Sequence, residues 1–119
     1  MKNRTGFISN SSSTSFFIIN MSDTKKTLLD FVKETSELVP EFVREYDRSF
    51  TEYNQLAMID NAKQRMKEHK KLNTWGPNET KTIAFGDEDG DILGQVYDYM
   101  LRAGGKSKSF KWTFHEYHR

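Results

Sequence analysis

A run of hydroxyl and amide residues, Ser9 to Ser15, sits between Gly6-Phe7-Ile8 and the apolar block Phe16-Phe17-Ile18-Ile19. Flexible Ser-rich linkers do not usually carry aromatic residues tightly on both flanks. The layout predicts a polar loop pinned at both ends to a hydrophobic core. Residues 15–21, SFFIINM, predict a strand. Phe16 and Ile18 lie on one face, and Phe17, Ile19 and Met21 on the other, so the strand should be central and covered on both sides.

The chain has 119 residues, which predicts one domain over 1–119. Its apolar fraction is only 35%, but nine Phe, five Tyr and two Trp supply large rings that bury much area each. A globular protein is expected. There are no cysteines. That excludes disulfides, thiolate zinc sites, iron–sulfur clusters and thiol nucleophiles. The opening MKNRTGFISN lacks the apolar stretch of a signal peptide, and no run approaches the length of a membrane span. A soluble, cytoplasmic protein without a membrane partner is expected.

Ser22-Asp23-Thr24 offers helix N-caps, predicting a helix to about Leu38 with Leu28, Leu29, Phe31 and Val32 buried. Pro40 suits the first turn of a second helix. Phe42, Tyr46, Phe50, Tyr53, Ala57, Ala62 and Met66 form one apolar stripe, predicting a long helix to about Lys70 with a bend near 49–51. Unbroken, it would span roughly 45 Å. NTWGPN, 73–78, reads as a loop. TKTIAF, 80–85, predicts a strand with Lys81, Ile83 and Phe85 on one face. A third helix follows from Asp91 to Arg102, ended by Gly104-Gly105. The last strand, Ser109 to His115, should bury Phe110, Trp112 and Phe114. The fold class is therefore α+β, a small three-stranded sheet in the order β-α-α-β-α-β packed against helices, one of them long.

Net charge is +1, but the charges are segregated. Residues 23–52 and 87–91 are acidic, while 63–71 and 102–111 are basic. Either the charges form ordinary solvated surface or they present separate faces to partners of opposite sign.

The candidate sites follow from these patches. Lys63, Arg65, Lys67, Lys70 and Lys71 end the long helix, with Trp75 just beyond. Basic side chains beside an aromatic ring suit phosphate contact plus base stacking. Lys106, Lys108 and Lys111 flank Phe110 and Trp112 in the same way, although those rings should face the core. Asp87, Glu88 and Asp89 form a second candidate binding surface. The acidic turn is not an EF-hand, since Ile92 stands where glycine is required and Asp98 where glutamate is. Its simplest role is to favour the N-terminus of the next helix.

The remaining motifs argue against catalysis. The Ser-rich run lacks the Lys-Ser/Thr pair of a phosphate loop and leads into a strand, not a helix. No G-x-S-x-G elbow is present. His115 and His118 have H-x-x-H spacing, which loses its metal-binding meaning on a strand end. No catalytic residue, cofactor or metal is assigned.

Arg4 to Phe16, R-T-G-F-I-S-N-S-S-S-T-S-F, resembles the opening of a set of small proteins from bacteriophages and their hosts. These carry a G-F-x-S-N-S-S-S-x-S-F signature at the extreme N-terminus. The F-K-W-x-F ending at Phe110 to Phe114 is similar to some of their C-termini. The resemblance implies a mobile-element origin and no particular activity. The expected function is a small non-catalytic, phage-type interaction protein that binds and modulates a host protein or nucleoprotein. An anti-defence, anti-CRISPR-like inhibitor is its sharpest version. The alternatives are a direct RNA- or DNA-binding protein using the basic helix end, and a small hydrolase or transferase.

Overall fold

The computed structural model describes residues 13–45, 54–86 and 91–118. Its sheet is built around the apolar block. Strand β1 (Ser13–Asn20) lies between β4 (Thr80–Gly86) and β6 (Phe110–His118), and β5 (Gly105–Lys106) flanks β6. The order is β4-β1-β6-β5, with each pairing antiparallel. A separate ribbon pairs β2 (Lys26–Thr27) with β3 (Thr74–Trp75). The helices are α1 (Leu28–Glu34), α2 (Leu38–Glu45), α3 (Asn54–Glu68) and α4 (Ile92–Met100). The class is α+β, as expected.

The sheet has four strands, not three. The extra strand comes from the glycine pair read as a helix stop. Gly104 does turn the chain, at φ 77°. Gly105 then pairs with Trp112, whose ring packs on its backbone. A Cβ there would meet the ring at 2.8 Å, so the strand needs glycine for close approach. The ribbon was equally hidden. Thr74 and Trp75 belong to β3, and the Gly-Pro-Asn turn begins only after them.

Thr14, Phe16, Ile18 and Asn20 point toward the helices and are fully buried. Phe31 of α1 is the hub of the core, meeting the rings of Tyr97, Phe110 and Trp112 edge-on at 5.1–5.4 Å. Edge-to-face contact suits the ring quadrupoles. Two-sided cover of β1 is not observed. Phe17, on the opposite face, is 39% exposed. The apolar run is central in strand order, but among the described residues the helices cover one face only. Phe114 likewise departs from expectation at 44% exposed. Arg102 lies over Tyr117 at 4.8 Å, leaving Phe114 at the margin, edge-on to Tyr117.

The first helix starts later than Ser22-Asp23-Thr24 predicts. Asn20 claims that segment: its side chain accepts from Ser22 N–H and donates to the Thr24 carbonyl. The true cap is Thr27, whose hydroxyl accepts from Asp30 N–H while the Asp30 carboxylate accepts from Thr27 N–H. This reciprocal box satisfies two orphan donors at once. Pro40 falls in the first turn of α2, as predicted. Within the span of the expected long helix the described residues form α2 and α3, and its bend near 49–51 lies outside the described residues. Tyr46, Phe50 and Tyr53 of its stripe lie outside the described residues. Met58 and Ala62 carry the buried side of α3.

Candidate nucleic-acid interface

The basic end of α3 is built by local hydrogen bonds. Asn73 donates to the Arg65 and His69 carbonyls, and the Thr74 hydroxyl donates to the Lys70 carbonyl. These satisfy acceptors left over at a helix C-terminus. Lysines are also favoured there by the helix dipole. Lys63, Lys67, Lys70 and Lys71 are exposed, at spacings of mostly three and four.

The fold adds two lysines from elsewhere. The ribbon register pairs Lys26 with Trp75, which brings Lys25 beside Gly76. Strand β4 contributes Lys81, whose Nζ donates to the Lys71 carbonyl at 2.7 Å. Lys25, Lys70, Lys71 and Lys81 thus line one cleft of about 440 Å³. Glu79 is the carboxylate in its lining. One of its oxygens accepts from Gly76 N–H at 2.7 Å, and the other lies 3.8 Å from Lys81 Nζ. The cleft, with four lysines and one carboxylate in its lining, is therefore positive, and it is open at the surface.

Other predicted residues have different roles. Trp75 is fully buried and cannot serve as a surface stacking platform. Its indole N–H donates to the Ile18 carbonyl at 2.9 Å, and its ring meets Phe110 edge-on. A tryptophan beside Gly-Pro gave no sign of this, because its partners are distant in sequence. Arg65 is a structural fork. Its Nε and Nη2 each donate at 3.0 Å to the Asp91 carboxylate, and the guanidinium sits 5.1 Å over the Phe85 ring. Asp91 also caps α4 by accepting from Gly94 N–H, the helix-favouring role expected of the acidic turn. Asp87, Glu88 and Asp89 lie outside the described residues.

The exposed face of the sheet carries a second constellation. Phe17 and the His115 ring meet in a tilted contact with centroids 4.4 Å apart. Residues paired across antiparallel strands share a face. The register therefore sets Lys106, Lys111, Ile19 and Thr80 in one row across that face, and Thr113, Phe17 and Thr82 in another. Ser15 Oγ and His118 Nε2 are hydrogen-bonded, and His118 Nδ1 is 3.8 Å from Glu116 Oε2. The connectivity is that of a nucleophile–base–acid relay, but 3.8 Å is too long for the acid–base hydrogen bond such a relay uses. Among the described residues no group of three or more His, Asp or Glu is placed to hold a metal ion. Among them, too, no helix is long and apolar enough to cross a membrane.

No family model, curated protein or solved structure matches the chain.

Proposed function

We propose that this protein is a non-catalytic interaction module acting on a nucleoprotein, which it grips through nucleic-acid phosphates at the lysine cleft. The observation that carries the reading is the convergence of Lys25, Lys70, Lys71 and Lys81 from separate segments on one cleft. Clustered lysines at an open surface suit a polyanion, because each phosphate neutralised releases condensed counterions. The mobile-element origin that the resemblance of the first residues implies is compatible with the narrower role of an anti-defence inhibitor. A cytoplasmic setting fits a chain with no cysteines.

The test is fluorescence anisotropy with labelled RNA and DNA oligonucleotides across a salt series. With three to four phosphates held at the cleft, log Kd against log salt should have a slope of magnitude about 2–3. Affinity should fall about 15- to 60-fold between roughly 50 and 200 mM salt. The triple variant Lys25→Glu, Lys70→Glu, Lys71→Glu should lose binding. Absence of binding by the wild-type chain at low salt would sink the reading.

A further inference from the structure

We infer that the exposed sheet face is a stacking platform for the bases of a single-stranded nucleic acid, with Phe17 as its centre. The inference rests on the proposed phosphate contact at the lysine cleft and names the strand state of that partner.

Phe17 is a large ring on a central strand of the sheet, yet it is 39% exposed. Its neighbour on β6 is a second ring, His115, tilted against it at 37° with centroids 4.4 Å apart. The pair is flanked by Thr82 and Thr113, one on each adjacent strand in the Phe17 row. No bulky side chain stands beside Phe17 in that row. Two residues further along each strand lies the Lys106–Lys111 row, both lysines exposed. Rows two residues apart are about 7 Å from one another. A lysine ammonium in one row can therefore reach the phosphate of a nucleotide whose base lies on Phe17 in the other. That row continues through Ile19 to Thr80 on β4, whereas Lys81, paired with Ile18, lies on the helix side of the sheet with the cleft. The carboxylate on this face, Glu116, lies at the far end, 3.4 Å from His115 Nε2 and 3.8 Å from His118 Nδ1.

The chemistry selects single strands. A base can lie on Phe17 only if its own face is free, and in a duplex both faces are already stacked. Stacking on a ring is tolerant of base identity, so the platform takes single-stranded DNA or RNA without a sequence code.

The experiment compares a labelled oligothymidine with its duplex, using the whole chain and the variants Phe17→Ala, Phe17→Trp and Lys70→Glu with Lys71→Glu. Phe17→Ala should weaken single-strand binding about 5- to 100-fold and leave duplex binding within about twofold. Phe17→Trp should restore it, and its surface indole emission should be quenched by the oligonucleotide. Unchanged single-strand affinity in Phe17→Ala, or an equal loss for both forms, overturns the platform. If the lysine reversal still abolishes binding in that case, the cleft reading survives alone. If Phe17→Ala acts as expected but lysine reversal does nothing, the cleft reading fails and the platform stands. A wild-type chain that binds neither form removes both.

Discussion

Thr14 donates a 2.6 Å hydrogen bond to Asp98, and both side chains are buried. The contact joins the Ser-rich run to the last helix. Asp98 also accepts from Arg102 Nη2 at 3.0 Å, while Arg102 Nε donates to the Asp98 carbonyl. Partial burial works against the Arg102 charge, yet the hydrogen bond and charge of Asp98 hold its guanidinium above the ordinary value. Thr14→Val removes a bond to a buried carboxylate and should cost about 1.5–3 kcal/mol. Urea unfolding will measure it. Thr14→Val combined with Asp98→Leu should cost less than the sum of the single changes, because each single change already loses the shared Thr14–Asp98 bond.

Gly105→Ala tests the glycine strand. The added Cβ would sit 2.8 Å from the Trp112 ring, and that ring is buried between the sheet and Phe31. The ring must shift, so a loss of about 1–3 kcal/mol is expected. Thermal melting will show it, along with a changed near-UV spectrum from Trp112. An unchanged melting temperature would mean the ring has room to move.

Tyr97 makes stability sensitive to alkali. It is fully buried, and burial pushes its phenol well above the ordinary value of about 10. Thr35 gives its own proton to the Phe31 carbonyl, so the Tyr97 hydroxyl donates to Thr35 at 2.7 Å. The folded state thus binds this proton more tightly than the unfolded state does. The contribution is fully present below about pH 10 and is lost progressively as pH rises above it. In Tyr97→Phe the melting temperature should be slightly lower at pH 7, by the loss of about 1 kcal/mol, but should fall less steeply above about pH 10. Parallel slopes for the two proteins would refute the assignment.

Glu79→Gln should strengthen binding at the cleft. The amide oxygen can still accept from Gly76 N–H, so the turn is kept while the cleft loses its carboxylate. Affinity for an oligonucleotide should rise about two- to fivefold at low salt. The gain should shrink at high salt as screening sets in. An affinity that falls would mean Glu79 itself contacts the partner.

Thr27→Ala should remove the hydroxyl's half of the box at the start of α1, the bond from Asp30 N–H and the bond to the Asp30 carboxylate, and leave only the backbone N–H at position 27 to hold that carboxylate. A loss of about 0.5–2 kcal/mol in a denaturant melt is expected, with Thr27→Ser near wild type.

The parts of the fold legible in sequence were those set by local pattern. The apolar alternation of Phe16 and Ile18, the stripe of α4 and the Pro40 start of α2 all follow from spacing within one element. What pattern could not reveal was pairing between distant segments. Trp75 reads as a surface ring beside Gly-Pro because its partners, Ile18 and Phe110, lie far along the chain. The apolar residues on both faces of β1 suggested cover on both sides, yet Phe17 faces outward beside His115. The site was half legible for the same reason. Lys70 and Lys71 stood out as a cluster, whereas Lys25 and Lys81 join them only through the ribbon and the edge strand. Arg65 looked like its lysine neighbours, although a planar fork near Asp91 suits a bidentate structural pair better than a solvated charge.

The central pair of the sheet, β1 with β6, joins segments near opposite ends of the described chain. Its closure therefore carries the largest loop entropy of any contact in the sheet and depends on non-local contact. The helices can form early from local signals, but Phe16 and Ile18 gain their β6 neighbours only when Phe114 and Trp112 arrive. Folding should consequently be slow for a chain of this size and limited by that single meeting of strands. A nascent chain would hold its core open until β6 emerged.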